Sequence, residues 1–201
     1  MEKSKFFDMT ESQIKSGIRK ALLNASTLAA YSKDIVERGG NEALALGLFS
    51  FAIEEFGKFA LLSEFLINKQ KMYRVPIQFF KGKKSHDIKF EKALSVLPKE
   101  CTNFEAGIIR PTSDKETKTL DIGSKGKIVS IPKGLTGLFS VGDLPIDFET
   151  RMNCFYLDWD PQKNKWRSPP KVLPGPLEKV IIHFENHLAE KLDVEYDIKR
   201  S

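Results

Sequence analysis

The chain has 201 residues, of which 41 % are hydrophobic and 29 % charged, a balance that excludes a disordered chain and allows one domain of moderate size with a buried core. The first residues, MEKSKFFDMTESQ, hold no apolar signal core, and the best apolar run, 43–53, stops at Glu54, so neither a secretion leader nor a membrane span is expected. A net charge of +5 permits contact with RNA, ribosomes or an acidic protein, but a dedicated nucleic-acid binder carries a denser basic stripe.

In chain order, Thr10-Glu-Ser-Gln13 has the form of a capping box, and apolar residues from Ile14 to Val36 then recur at helical spacing. The pattern predicts a long amphipathic helix over 10–38, stopped by Gly39-Gly40. Asn41 can cap a second helix over 42–70, apolar around most of its circumference and therefore buried against several partners. The short link between the two predicts an antiparallel hairpin. Residues 69–92 carry eight Lys or Arg against two acids. Pro76 breaks the second helix or starts a new one. Ser85 can cap a helix beginning near His86 and ending at Pro98, with Ile88, Phe90, Ala93, Leu94 and Leu97 on its apolar side.

From 99 to 175 Pro and Gly become frequent. KIVSI and NCFYLDW read as strands, 158–166 as strand, turn, strand, and 112–127 as a polar, mobile stretch. Cys101 and Cys154 are the two cysteines, too few for a disulfide framework, and read as free thiols. A last helix follows Pro174-Gly-Pro176, with Leu177, Val180, Ile181, Phe184, Leu188 and Leu192 on one face. The expected organisation is a helical region over 1–98, an irregular β-hairpin insertion over 99–175, and a C-terminal helix over 176–201 packing back on the bundle.

Three places carry candidate chemistry. In FAIEEFGKFA, Glu54 and Lys58 are four apart with the acid first, the favourable order for a same-face ion pair. Burying such charges among Phe51, Phe56, Phe59 and Leu62 demands partners, so Glu54, Glu55 and Lys58 meet another helix or line a cleft; the plain alternative is a polar stripe on a helix edge. In Lys81-Gly-Lys-Lys-Ser-His86, the imidazole suits proton transfer near neutral pH, and Lys81, Lys83 and Lys84 suit an RNA phosphate or other anion; the alternative is a solvated charge run. His183 and His187 have a spacing that can hold a metal, yet no third ligand stands out and HFENH is not HExxH, so they read as exposed helix histidines and no metal or cofactor is expected. Tyr156, Trp159 and Trp166 can stack on bases or form the core of a small hairpin.

The long first helix, ALALGLFSFAIEEFGKFALL and the basic segment ending in SHDIK together resemble the bacterial abortive infection family AbiV, whose helical part is grouped with the HEPN superfamily. The likeness covers residues 10–97. It implies a mainly α, HEPN-like antiparallel helical bundle with a small β and loop subdomain inserted before a C-terminal helix. It further implies a cytoplasmic homodimer in phage resistance that arrests translation on contact with a phage-encoded protein. Glu54, Glu55, Lys58, His86 and Lys89 match the family's shared polar positions. Many HEPN proteins are metal-independent ribonucleases whose site pairs an Arg with a His after four to six intervening residues. Here the nearest upstream arginine is Arg74, and Lys81 stands at that spacing instead. Lysine keeps the charge and lacks the planar fork that grips phosphate. Three readings follow: a ribonuclease with His86 as acid or base, a binder that obstructs the translation machinery, and a structural scaffold.

Overall fold

In the computed structural model, the residues described are 5–68, 70–82, 84–101, 110–111, 120–122, 127–129, 137–138, 151–152, 154–155, 159–160, 165–166, 169, 172 and 174–197. The elements among them are mainly helical: a strand β1 (Phe6–Met9), helices α1 (Glu11–Glu37) and α2 (Glu42–Phe65), strand β2 (Tyr73–Pro76), helix α3 (Lys84–Val96), six two- or three-residue strands β3 to β8, and helix α4 (Pro174–Asp197). They fall into two compact units. One comprises Met1–Ala30, Phe49–Pro98 and Glu185–Ser201; the other Tyr31–Leu48 and Lys99–Phe184.

The helix boundaries follow from their caps. The Thr10 amide donates to Gln13 Oε1 at 2.8 Å and the Gln13 amide to Thr10 Oγ1 at 3.3 Å, the reciprocal capping box read from the sequence. At the far end of α1, Gly39 has φ +66°. Its amide donates to Val36 O, and that of Gly40 to Ile35 O, so two orphan carbonyls are satisfied by a Schellman turn that only glycine enters without strain. Asn41 Oδ1 then accepts the Leu44 amide at 3.1 Å and starts α2. Gly17, early in α1, lies opposite Leu62, late in α2, and Ser32 Oγ, later in α1, donates to Ala45 O, earlier in α2, at 2.7 Å. The two helices are antiparallel.

In the first unit the core gathers Ile14, Ile18, Leu62, Tyr73 and Val75, with Met9, Phe59, Phe65, Phe79 and Phe80 packed against it. Three of these, Met9, Tyr73 and Val75, come from a strand pair the sequence did not announce. β1 and β2 run antiparallel in register Phe6↔Pro76, Phe7↔Val75, Asp8↔Arg74, Met9↔Tyr73. The alternation of β2 buries Tyr73 and Val75 and leaves Arg74 outside, stacked over the Phe6 ring at 4.6 Å. This pairing also corrects the end of α2. The helix stops at Phe65, not at 70, because the chain must turn back to bring Tyr73 under the α1–α2 pair; the amides of Leu66 and Ile67 tighten onto Ser63 O and Glu64 O as it does so. Pro76 closes β2 ahead of a single 3₁₀ turn, Ile77–Phe79.

In the second unit Val36, Ala43, Leu46, Cys101, Cys154, Val172, Leu177, Val180, Ile181 and Phe184 are buried. Gly47 makes room there for the Phe155 ring, which a Cβ would meet at 2.6 Å. The small strands pair as β3 with β6, β4 with β5, and β7 with β8. The last pair, Trp159↔Trp166 and Asp160↔Lys165, supplies the two strands of the unit read from 158–166; residues 161–164 lie outside the described residues. Strand β5 (Lys127–Val129) falls in KIVSI, whereas β4 (Leu120–Ile122) stands inside the stretch expected to be polar and mobile, paired Leu120↔Val129. Tyr156, and the rest of 112–126 apart from β4, lie outside the described residues.

Both cysteines are buried thiols, not joined in a disulfide. Burial pushes the Cys154 thiol up to about 12. Iodoacetamide at pH 8 is therefore expected to label Cys154 in the native protein more than about 100-fold slower than in the denatured chain. Peptide mass spectrometry over a time course checks this; equal rates would mean that the thiol reaches solvent as readily as in the unfolded state.

Candidate functional site

α3 docks on α2 through a glycine. A Cβ at Gly57 would lie 1.7 Å from the Lys89 carbonyl oxygen and 3.2 Å from the Ala93 nitrogen, so the two backbones are nearly in contact. The face of α3 that meets this track buries Ser85, Lys89 and Ala93, each four residues from the next, together with Phe90. The helix begins at Lys84, two residues before the predicted start. Ser85 is an inward residue of the first turn, its amide donating to Gly82 O, and Gly82 (φ +96°) turns the chain into the helix.

This close approach brings α2 and α3 polar groups together. Glu54 is 2 % exposed. His86 Nδ1 lies 2.8 Å from Glu54 Oε2, and Lys89 Nζ lies 3.6 Å from the same oxygen. Lys89 is itself 7 % exposed, so one buried carboxylate faces one buried ammonium and one imidazole. A carboxylate can only accept, so the hydrogen-bonded nitrogen of His86 is the one that carries hydrogen. In a neutral ring that leaves Nε2 with its lone pair, and the side chain of His86 is 34 % exposed. The arrangement is a base held in one tautomer by a buried acid, with a cation beside it.

Glu54 and Lys58 do not form the ion pair expected from their spacing. Lys58 Nζ binds Glu55 instead, 2.7 Å from Oε2, and Glu54 is turned toward α3. Adjacent residues of a helix point about 100° apart, so the two carboxylates serve different faces. Of the basic run, Lys84 opens α3 and is exposed. Lys81 is exposed and lies over the Phe7 ring, 5.6 Å from its centroid. Lys83 lies outside the described residues.

The two histidines of α4 differ from the expectation that both are exposed. His183 is exposed; His187 packs edge-on to Phe56 at 5.6 Å, and its Nε2 is buried without a hydrogen-bond partner among the described residues. Burial first, and then the Lys191 charge, lower its pKa below the ordinary histidine value, against the opposing pull of Glu190. Among the described residues no cluster of three or more His, Cys, Asp or Glu is placed to hold a metal, and no helix is long and apolar enough to cross a membrane.

Gly57 is the residue that sequence reasoning passed over. The signal was present: a glycine inside a strong helical pattern costs about 1 kcal/mol against alanine and calls for a packing reason.

A search of curated proteins and a search of solved structures each returned no significant match. The model of one family, AbiV, which is HEPN-like, matches residues 13–190. That match takes in α2, α3 and the Glu54–His86–Lys89 cluster as well as most of α4, and it supports a general role in abortive infection. The chain belongs to the AbiV family.

Proposed function

We propose that this protein is an abortive-infection effector that arrests translation in infected cells, released to act by contact with a phage-encoded protein, and that it acts as a cytoplasmic homodimer. The reading favoured within that role is a metal-independent endoribonuclease acting on RNA of the translation machinery. The observation that carries it is the 2.8 Å contact between His86 Nδ1 and buried Glu54, which supports an imidazole base oriented by a buried acid.

In this reading Nε2 of His86 takes the proton of a ribose 2′-hydroxyl. The 2′-oxygen attacks the adjacent phosphorus, the bond from phosphorus to the 5′-oxygen breaks, and the leaving oxygen gains a proton. The products are a 2′,3′-cyclic phosphate and a 5′-hydroxyl. Charge gathering on the phosphate oxygens would be met by Lys84, with Lys81 and Lys83 as further cations of the same segment. Glu54 holds the imidazole, and Lys89 balances the buried carboxylate. Glu55 and Lys58, paired with each other, act one step away from the chemistry.

The test is RNA integrity. Purified protein, with and without an activating partner, is incubated with ribosomes and total RNA. Discrete cleavage is expected, falling by about 10²–10⁴-fold in His86→Ala with the circular dichroism unchanged. Translation arrest with intact RNA, or arrest that survives His86→Ala, would instead favour a binder that obstructs the machinery.

A further inference from the structure

The other half of the EExGK motif opens onto a different surface. A groove of about 610 Å³ runs beside the Glu55–Lys58 track of α2, against α1. α1 lines it with Gly17 and Ala21, and Leu62 packs against Gly17 at its floor. Leu62 lines it from α2, and Met9 and Phe80 from β1 and the segment before α3. Lining residues of α1 extend from Gly17 to Thr27, a length of about 15 Å at 1.5 Å per residue. Leu23 on its edge is 43 % exposed, a large apolar side chain left to water.

The charges along this groove do not cancel. Lys20 and Lys58 line it, against Glu55 alone. Glu55 is already engaged by Lys58, and Lys20 is exposed and makes no ion pair among the described residues. An apolar trough of two to three helical turns with a cationic wall is complementary to a helix of matching length that has apolar residues on one stripe and carboxylates beside it. We propose that this groove docks an acidic amphipathic helix of a partner protein. Its apolar stripe packs on Leu23, Met9 and Phe80, one carboxylate meets Lys20, and a second joins the Glu55–Lys58 pair. The Asn24 amide, exposed on the same stretch of α1, is free to bond the rim of the incoming helix. This deepens the partner-triggered reading above by giving the contact a surface. Peptide binding is measured apart from RNA integrity, so either idea can fail alone.

The probe is a fluorescently labelled helical peptide about four turns long, with Leu on one stripe and Glu flanking it, compared by anisotropy with the same peptide carrying Lys in place of Glu. The acidic peptide is expected to bind the full chain, and to weaken as salt rises. Lys20→Glu is expected to lower its affinity by at least about fivefold, the scale of one exposed charge pair lost and reversed, and to shift preference toward the Lys-flanked peptide. Lys20 is exposed, so the circular dichroism of the variant is expected to match the parent. Equal binding of both peptides, binding of neither, or an unchanged affinity in Lys20→Glu overturns the proposal. So does a chain that is dimeric without peptide and becomes monomeric in Leu23→Asp, since the groove would then be covered by a second copy.

Discussion

Replacing Gly57 with alanine is expected to lower folding stability by at least about 3 kcal/mol, the upper end of the cost of overpacking a core. The reason is geometric. The added methyl would sit 1.7 Å from the Lys89 carbonyl oxygen, more than an ångström inside any real contact, and its neighbour is backbone and has no rotamer in which to retreat. Either α3 moves off α2 or the first turns of α3 unwind. Intrinsic propensity pulls the other way, since alanine in an open helix gains about 1 kcal/mol over glycine. A net loss therefore measures the helix contact and not the helix. Denaturant unfolding reads the effect, with a midpoint in thermal melts lower by about 6–12 °C at this chain length. Gly175→Ala is the control, because a Cβ there meets nothing within 4 Å. A Gly57→Ala protein as stable as the parent would mean that α3 does not rest on α2 as described. If the proposed chemistry is right, the same variant also separates His86 from Glu54, and activity is expected to fall further than stability.

Glu54→Ala carries the second large effect. It strands the ammonium of Lys89 in a site from which water is nearly absent. Removing one partner of a buried pair typically costs about 3–5 kcal/mol, because the charge left behind pays its full desolvation. By contrast, Glu55→Ala removes a partner from Lys58, which is half-buried and can turn to solvent, and about 1 kcal/mol or less is expected. The double variant Glu54→Gln with Lys89→Met removes both charges with little change in volume, so it is expected to recover most of what Glu54→Ala loses. Urea unfolding of the four proteins gives the comparison. Equal losses in Glu54→Ala and Glu55→Ala would contradict the burial that separates the two carboxylates.

What could be read from the chain was set by the range of each interaction. The start of α1, the Gly39-Gly40 turn and the Asn41 cap each depend on residues within five positions of one another, and their residue types report the backbone they make. The apolar face of α4 was equally plain, since Leu177, Val180, Ile181, Phe184 and Leu188 keep helical step and are all buried. The β1–β2 pair was not legible. Four residues of FFDM hold no decisive pattern, and their partner lies far along the chain at YRVP. For the candidate site, burial of charge around Glu54 was readable from its apolar neighbours, as was the need for a partner from elsewhere. The partner's identity was not. Whether Lys58 turns to Glu54 or to Glu55 depends on which side α3 occupies, and that follows from Gly57, whose significance appears only when Lys89 is seen against it. His187 misled for a similar reason: its burial comes from another helix, where Phe56 covers it.

The division of labour between Glu54 and Glu55 makes EExGK a marker of rotational phase. Glu54 to Gly57 and Glu55 to Lys58 are two strides of three residues laid on neighbouring tracks of one cylinder, the first track against α3 and the second beside α1. One residue inserted between Glu55 and Gly57 would turn everything after it by about 100°, carrying the glycine off the line on which its neighbour rests while every side chain of the motif is retained. Substitution within the five positions is thus a milder disturbance than a slip of one, and the motif constrains the counting of the helix as firmly as its chemistry.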